Sequence, residues 1–124
     1  MKNEEYLSNQ KKFLEDLIAF HQHPKILKEY DALGFNDWYE PPLATIKRDN
    51  LISIFDRFLK DELSSNDIYH WAEALAGRST IGYENKYDKL LYSILMNIIT
   101  DHSTGINLTK QQAEIYLNQL QKTF

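Results

Sequence analysis

Between Tyr87 and Ile99 the apolar residues Tyr87, Leu90, Leu91, Ile94, Leu95, Ile98 and Ile99 recur at alternating steps of three and one, which places them on one stripe of a helix. Leu51, Ile52, Ile54, Phe55, Phe58 and Leu59 form a second stripe that leaves Arg57, Lys60 and Asp61 for solvent. A third runs through Ile68, Trp71, Ala72 and Leu75. It is entered through Ser64-Ser65, whose hydroxyls suit the free amides of a first turn, and it stops at Gly77. Tyr6, Phe13, Leu14, Leu17 and Ile18 give an N-terminal helix closed by His21-Gln22-His23-Pro24, since a residue before proline is pushed out of the helical region. Ala113, Tyr116, Leu117 and Leu120 give a C-terminal one behind Thr109-x-x-Gln112, the spacing of a capping box. A shorter helix is expected over Lys25 to Leu33, closed by Gly34, and then an irregular loop from Phe35 to Pro42. No period-two run, Asn-Gly hairpin or internal repeat occurs. The expected fold is all-α: a single domain over 1–124, a bundle of five main helices plus one short helix.

Composition adjusts this picture in three ways. Val, a residue favoured in strands, is absent, which strengthens the helical reading. Cys is absent too, so disulfides, thiolate nucleophiles and Cys-based metal sites are excluded. With 14 Lys+Arg against 18 Asp+Glu the formal charge is -4, which disfavours nucleic acid and anionic membrane as partners and favours a basic protein. Glu4 and Glu5 stand where a signal peptide carries basic residues. The longest apolar stretch, Leu90 to Ile99, is interrupted by Ser93 and Asn97 and is far shorter than the roughly 20 residues of a bilayer-spanning helix. A cytoplasmic protein is expected.

Catalytic signatures are few. Gly34, Gly77, Gly82 and Gly105 are too dispersed for a phosphate loop, and neither Gly-x-Ser-x-Gly nor His-Glu-x-x-His occurs. His21-x-His23, with Asp31, is the one metal-like spacing and would suit a small metal-dependent hydrolase. A helix end beside proline equally suits two solvated histidines, and no metal or cofactor is expected. Asp101-His102 has the look of an oriented base, but adjacent residues rarely face one site, and Ser103-Thr104-Gly105 read as a turn. Glu73, Arg78 and Glu84 are read as a clamp, Arg78 bridging a carboxylate across the Gly77–Tyr83 corner, in preference to acid–base machinery. Trp71 is read as a core anchor. The spacing of 51–60 and 66–76 resembles a helix-turn-helix, yet Asp67 and Glu73 on its exposed side would repel phosphate. The chain is not expected to be an enzyme.

A partner-binding surface is better supported. Residues 1–40 hold eight acids and five lysines, whereas residues 83–124 balance at four and four. Within the acidic part, Tyr30, Asp31, Asp37, Trp38, Tyr39 and Glu40 mix aromatics with carboxylates in an irregular stretch. Rigid aromatic rings anchor an interface, and carboxylates beside them steer and pair with Lys or Arg on a partner. Asp61 and Glu62, at a neighbouring helix end, are secondary contacts. The same loop could instead be pinned to the core by Phe35 and Trp38 with its acids solvated.

The run Leu63-Ser-Ser-Asn-Asp-Ile-Tyr-His-Trp-Ala-Glu-Ala-Leu-Ala-Gly-Arg78, continued by Ser79-Thr-Ile-Gly-Tyr-Glu84, resembles a group of small helical bacterial toxin-immunity proteins. These include immunity proteins of contact-dependent growth inhibition systems and colicin D-like immunity proteins. The resemblance covers the part from Asp49 to the C-terminal helix and lies in what reads as a scaffold corner. It implies an immunity protein that neutralises a cognate toxin, often a basic nuclease, by occluding its active site. The contact residues themselves are inferred from chemistry. A non-enzymatic adaptor module is the alternative.

Overall fold

Trp71 explains how the first helix is held. Its indole is fully buried, and Nε1–H donates at 3.1 Å to the carbonyls of both Leu17 and Ile18 in the last turn of the helix, where the Leu17 carbonyl also accepts from the Phe20 N–H. The computed structural model describes residues 2–20, 44–76 and 81–122, with side chains from Gln10 onward. Among these the chain order is α1 (Lys2–Ile18), β1 (Ala44–Ile46), α2 (Arg48–Leu59), α3 (Ser65–Leu75), β2 (Ile81–Tyr83), α4 (Asp88–Ser103) and α5 (Lys110–Gln121). The fold is a small, mostly helical bundle with a two-stranded sheet added. The expected short helix at Lys25–Leu33 and the loop Phe35–Pro42 lie outside the described residues, as do His21, His23 and Arg78.

The stripes bury as their spacing predicts. Leu91, Ile94, Leu95 and Ile98 of α4, Leu51, Ile54, Phe55 and Phe58 of α2, and Ile68, Trp71, Ala72 and Leu75 of α3 join one apolar cluster with Leu14 and Leu17 of α1 and Ala113, Tyr116 and Leu120 of α5. α5 packs chiefly on α2, and α4 on α3.

The sheet departs from the expected all-helical chain. β1 and β2 pair in parallel, Ala44 opposite Ile81, Thr45 opposite Gly82 and Ile46 opposite Tyr83. A parallel pair needs a long crossover, here α2 and α3, so no hairpin signal marks it in the sequence. Three residues per strand are also too few to show alternation, although Ala44 and Ile46 are buried and Thr45 is exposed as a strand requires.

Caps end the helices. Ser64 Oγ accepts from Asp67 N–H while Asp67 Oδ2 accepts from Ser64 N–H, both at 3.0 Å, a reciprocal box at the start of α3. At α5 only half of the expected box forms. Thr109 Oγ1 accepts from Gln112 N–H at 3.1 Å, but the Gln112 side chain bonds Tyr116 instead. α2 starts with help from afar: Glu84 Oε1 accepts from the Arg48 N–H at 2.8 Å. Glu84 is thus a cap for α2, and Glu73 accepts from the Tyr69 hydroxyl.

Candidate functional site

Two helix ends of the same construction meet at the pole opposite the sheet. In α2, the Asp61 N–H donates to the Phe58 carbonyl and the Glu62 N–H to the Arg57 carbonyl, with Asp61 at φ 63°. In α4, the Gly105 N–H donates to His102 and the Ile106 N–H to Asp101, with Gly105 at φ 86°. Both are Schellman motifs, in which the residue after the cap takes the left-handed conformation and two orphan carbonyls gain donors. The ends are tied together where Lys110 Nζ, at the start of α5, meets the Asp61 carboxylate at 3.0 Å.

The motifs decide which side chains face outward. Asp61 and Glu62 are 78% and 55% exposed as side chains, and Glu62 lies 3.9 Å from Arg57 Nε. Both secondary contact residues are therefore at the surface, but neither is without a cation. Lys60 leans back on Asp56 at 3.0 Å; the hydrogen bond first, then the charge of Asp56, raises its pKa above the usual lysine value. The primary candidates Tyr30, Asp31, Asp37, Trp38, Tyr39 and Glu40 lie outside the described residues.

Asp101 and His102 face different neighbours, as their adjacency in the chain requires. The His102 ring stacks on Tyr69 of α3, centroids 3.7 Å apart and planes at 16°. Asp101 instead lines a cleft of about 100 Å³ at the α4–α5 corner. Ile98, Ile106 and Leu108 supply its apolar walls, and Gln112 and Tyr116 close it from α5. In the Schellman motif the second residue past the cap commonly packs on the residue at the third position from the helix end. Here those positions are Ile106 and Asp101, a pairing that gives Ile106 no apolar partner and leaves it 57% exposed. Burial first, then the nearby Asp101 charge, raises the Tyr116 phenol pKa against the lowering effect of hydrogen bonds with Gln112 and Asn97. Gly105 was the sequence signal for this site, because a C-terminal glycine fixes the positions of Asp101 and Ile106 relative to the helix end.

Other clusters offer less. Tyr69, Glu73 and His102 have the residue types of acid–base chemistry, but the hydrogen bond to Glu73, then burial and the Glu73 charge, hold the phenol above its usual pKa. A second cleft of about 160 Å³ contains Glu15 and Lys47, opposite charges with no common ligand preference. No group of three or more metal-ligating side chains occurs among the described residues, and no described helix is long and apolar enough to cross a membrane.

Comparison with known protein families, curated proteins and solved structures finds no match to this chain.

Proposed function

We propose that this chain is an immunity protein, working in the cytoplasm, that binds and neutralises a cognate bacterial toxin by covering its active site with an acidic surface. The observation that carries this reading is the pole where α2 and α4 end. There the exposed carboxylates of Asp61 and Glu62 lie at the same end of the bundle as Asp101 and the bare Ile106. Asp61 and Glu62 are paired at the surface; the uncompensated charge of Asp101 attracts a basic partner, and an exposed apolar residue gives it something to bury. The resemblance of residues 63–84 to toxin-immunity proteins supports the same class. In this reading Asp31, Asp37 and Glu40 add charge, and Tyr30, Trp38 and Tyr39 add aromatic anchors. The toxin is a basic, nuclease-type domain, and inhibition needs no cofactor or catalysis from this chain.

The test is neutralisation. The reading predicts a toxin-like domain encoded beside this chain; that domain is expressed alone and with it, and growth is followed. Arrest relieved by co-expression, together with a complex of the purified proteins that weakens as salt rises, is the expected result. Arrest that persists with this chain abundant and folded overturns the proposal.

A further inference from the structure

We infer that the cleft at the α4–α5 corner is a receptor for one arginine side chain of a basic partner protein. The partner's charge rests on the immunity reading, whereas the ligand chemistry rests on the cleft itself.

Asp101 carries the inference. Its backbone carbonyl is occupied by the Thr104 and Ile106 amides and the Thr104 hydroxyl, but its carboxylate has no ion-pair or hydrogen-bond partner among the described residues. No lysine or arginine is among the described residues lining the cleft, and Lys110, in the first turn of α5, sits on Asp61 through both carboxylate oxygens, at 3.0 and 3.2 Å. The N-terminal amide of Gln112, which would draw an anion, already donates to Thr109. A half-exposed, uncompensated carboxylate therefore sits beside the apolar walls made by Ile98 and the bare Ile106.

That combination selects an amphipathic cation. A metal ion needs several ligands, and Asp101 is the only carboxylate lining the cleft. A long basic side chain can lay its methylene stem along Ile106 and bring its charge to Asp101. Arginine suits the site better than lysine. Its planar fork meets a carboxylate with two parallel bonds and leaves further donors for the Gln112 and Asn107 side-chain amides. The cleft is small, about 100 Å³, of the order of a single side chain.

The test uses the full chain, isotope-labelled, titrated with the blocked tripeptide acetyl-Gly-Arg-Gly-amide and with its citrulline counterpart, which has the same shape without the charge. The arginine peptide is expected to give saturable NMR shifts at Asp101, Ile106 and Gln112. Asp101→Asn should weaken binding about tenfold, the factor expected for losing a charged hydrogen-bond partner, with an unchanged thermal midpoint as the folding control. Absence of saturable shifts, equal response to citrulline, or undiminished binding by Asp101→Asn overturns the inference. These readings need no toxin. An arginine-binding cleft in a chain that fails to neutralise would sink only the immunity proposal, and neutralisation by a chain whose cleft ignores arginine would sink only this one.

Discussion

The two poles of the bundle are built from the same helices and differ in what their polar groups do. At the sheet pole Arg48 gives its amide to Glu84, one guanidinium nitrogen to the Leu120 carbonyl at 3.4 Å, and its charged face to the Tyr87 ring at 5.0 Å. At the other pole the groups are Asp61, Glu62, Asp101 and Ile106: two carboxylates paired at the surface, one unpaired, and an isoleucine in water. The first pole closes the fold; the second is finished as structure but retains charge and apolar surface that folding does not use. The resemblance to immunity proteins falls on the stretch 63–84, which runs from the second pole into the first and whose Trp71 and Glu84 are both engaged in holding elements together. A shared scaffold and a private binding surface would divide the chain in this way.

The strongest test of that division lies at its centre. Trp71→Ala removes a fully buried ring and the donor shared by Leu17 and Ile18, and should cost about 3–5 kcal/mol, read as a large fall in the urea midpoint. Trp71→Phe keeps most of the volume and should cost about 1–3 kcal/mol for the Ile18 carbonyl, which loses this donor, while the Leu17 carbonyl keeps the Phe20 N–H. A Trp71→Ala chain as stable as the parent would show that α1 is not held by this contact.

Trp71 also marks what the sequence discloses. A residue on a regular apolar stripe is legible, because helical period alone fixes its face, and the five main helices follow from such stripes. Caps close in sequence, Ser64 with Asp67 and Thr109 with Gln112, are nearly as legible. What pairs distant parts of the chain is not: the sheet joins Ala44 to Ile81, and Glu84 caps a helix that begins at Arg48. Of the candidate site, Asp61 and Glu62 could be placed at a helix end. Asp101-His102 and the turn at Ser103-Thr104-Gly105 are visible in the sequence, and Gly105 fixes where the helix ends, but that Asp101 lines a cleft with Gln112 and Tyr116 of α5 is a packing fact.

Glu84→Ala should cost about 1 kcal/mol, within the range of a lost N-cap, because the Arg48 amide loses its acceptor and the positive end of α2 loses its anion. Urea denaturation of this variant, beside Asp101→Asn, compares the poles directly. The expected outcome is a loss for Glu84→Ala and none for Asp101→Asn; equal losses would erase the contrast.

Tyr83 sharpens it from the other direction. Its hydroxyl is buried and finds no hydrogen-bond partner among the described residues. Tyr83→Phe removes an unsatisfied polar group from the sheet pole and should stabilise by about 1 kcal/mol. Burial first, then the neighbouring Tyr92, raises the pKa of this phenol above its ordinary value of 10.0. The folded chain therefore keeps its proton where the unfolded chain loses it, so the stability present below pH 10.0 falls as pH climbs past that value toward the raised one. Tyr116 acts in the same direction. Comparing unfolding at pH 7 and at about pH 11 should show a shallower alkaline loss in Tyr83→Phe than in the parent. An unchanged slope would place the alkaline sensitivity elsewhere.

The smallest effect concerns Asp61, where structure and binding compete for one residue. It occupies the left-handed position of its Schellman motif at φ 63°, the position that Gly105 fills at the matching end of α4. A side chain there is strained relative to glycine, while an exposed ion pair such as Asp61 with Lys110 contributes roughly 0–1 kcal/mol. Asp61→Ala keeps the strain and loses the pair, so it should destabilise by up to about 1 kcal/mol. Asp61→Gly loses the pair but relieves the strain, and should come out near the parent or slightly above it, by a few tenths of a kcal/mol. Thermal midpoints of the two variants at low and high salt separate the contributions. If Asp61→Gly is at least as stable as the parent, the ion pair adds less than the left-handed strain costs, and the aspartate is not needed for folding at this turn. If Asp61→Gly is less stable than the parent, the ion pair outweighs the strain in holding the α2 and α5 ends together, and the second pole is as structural as the first.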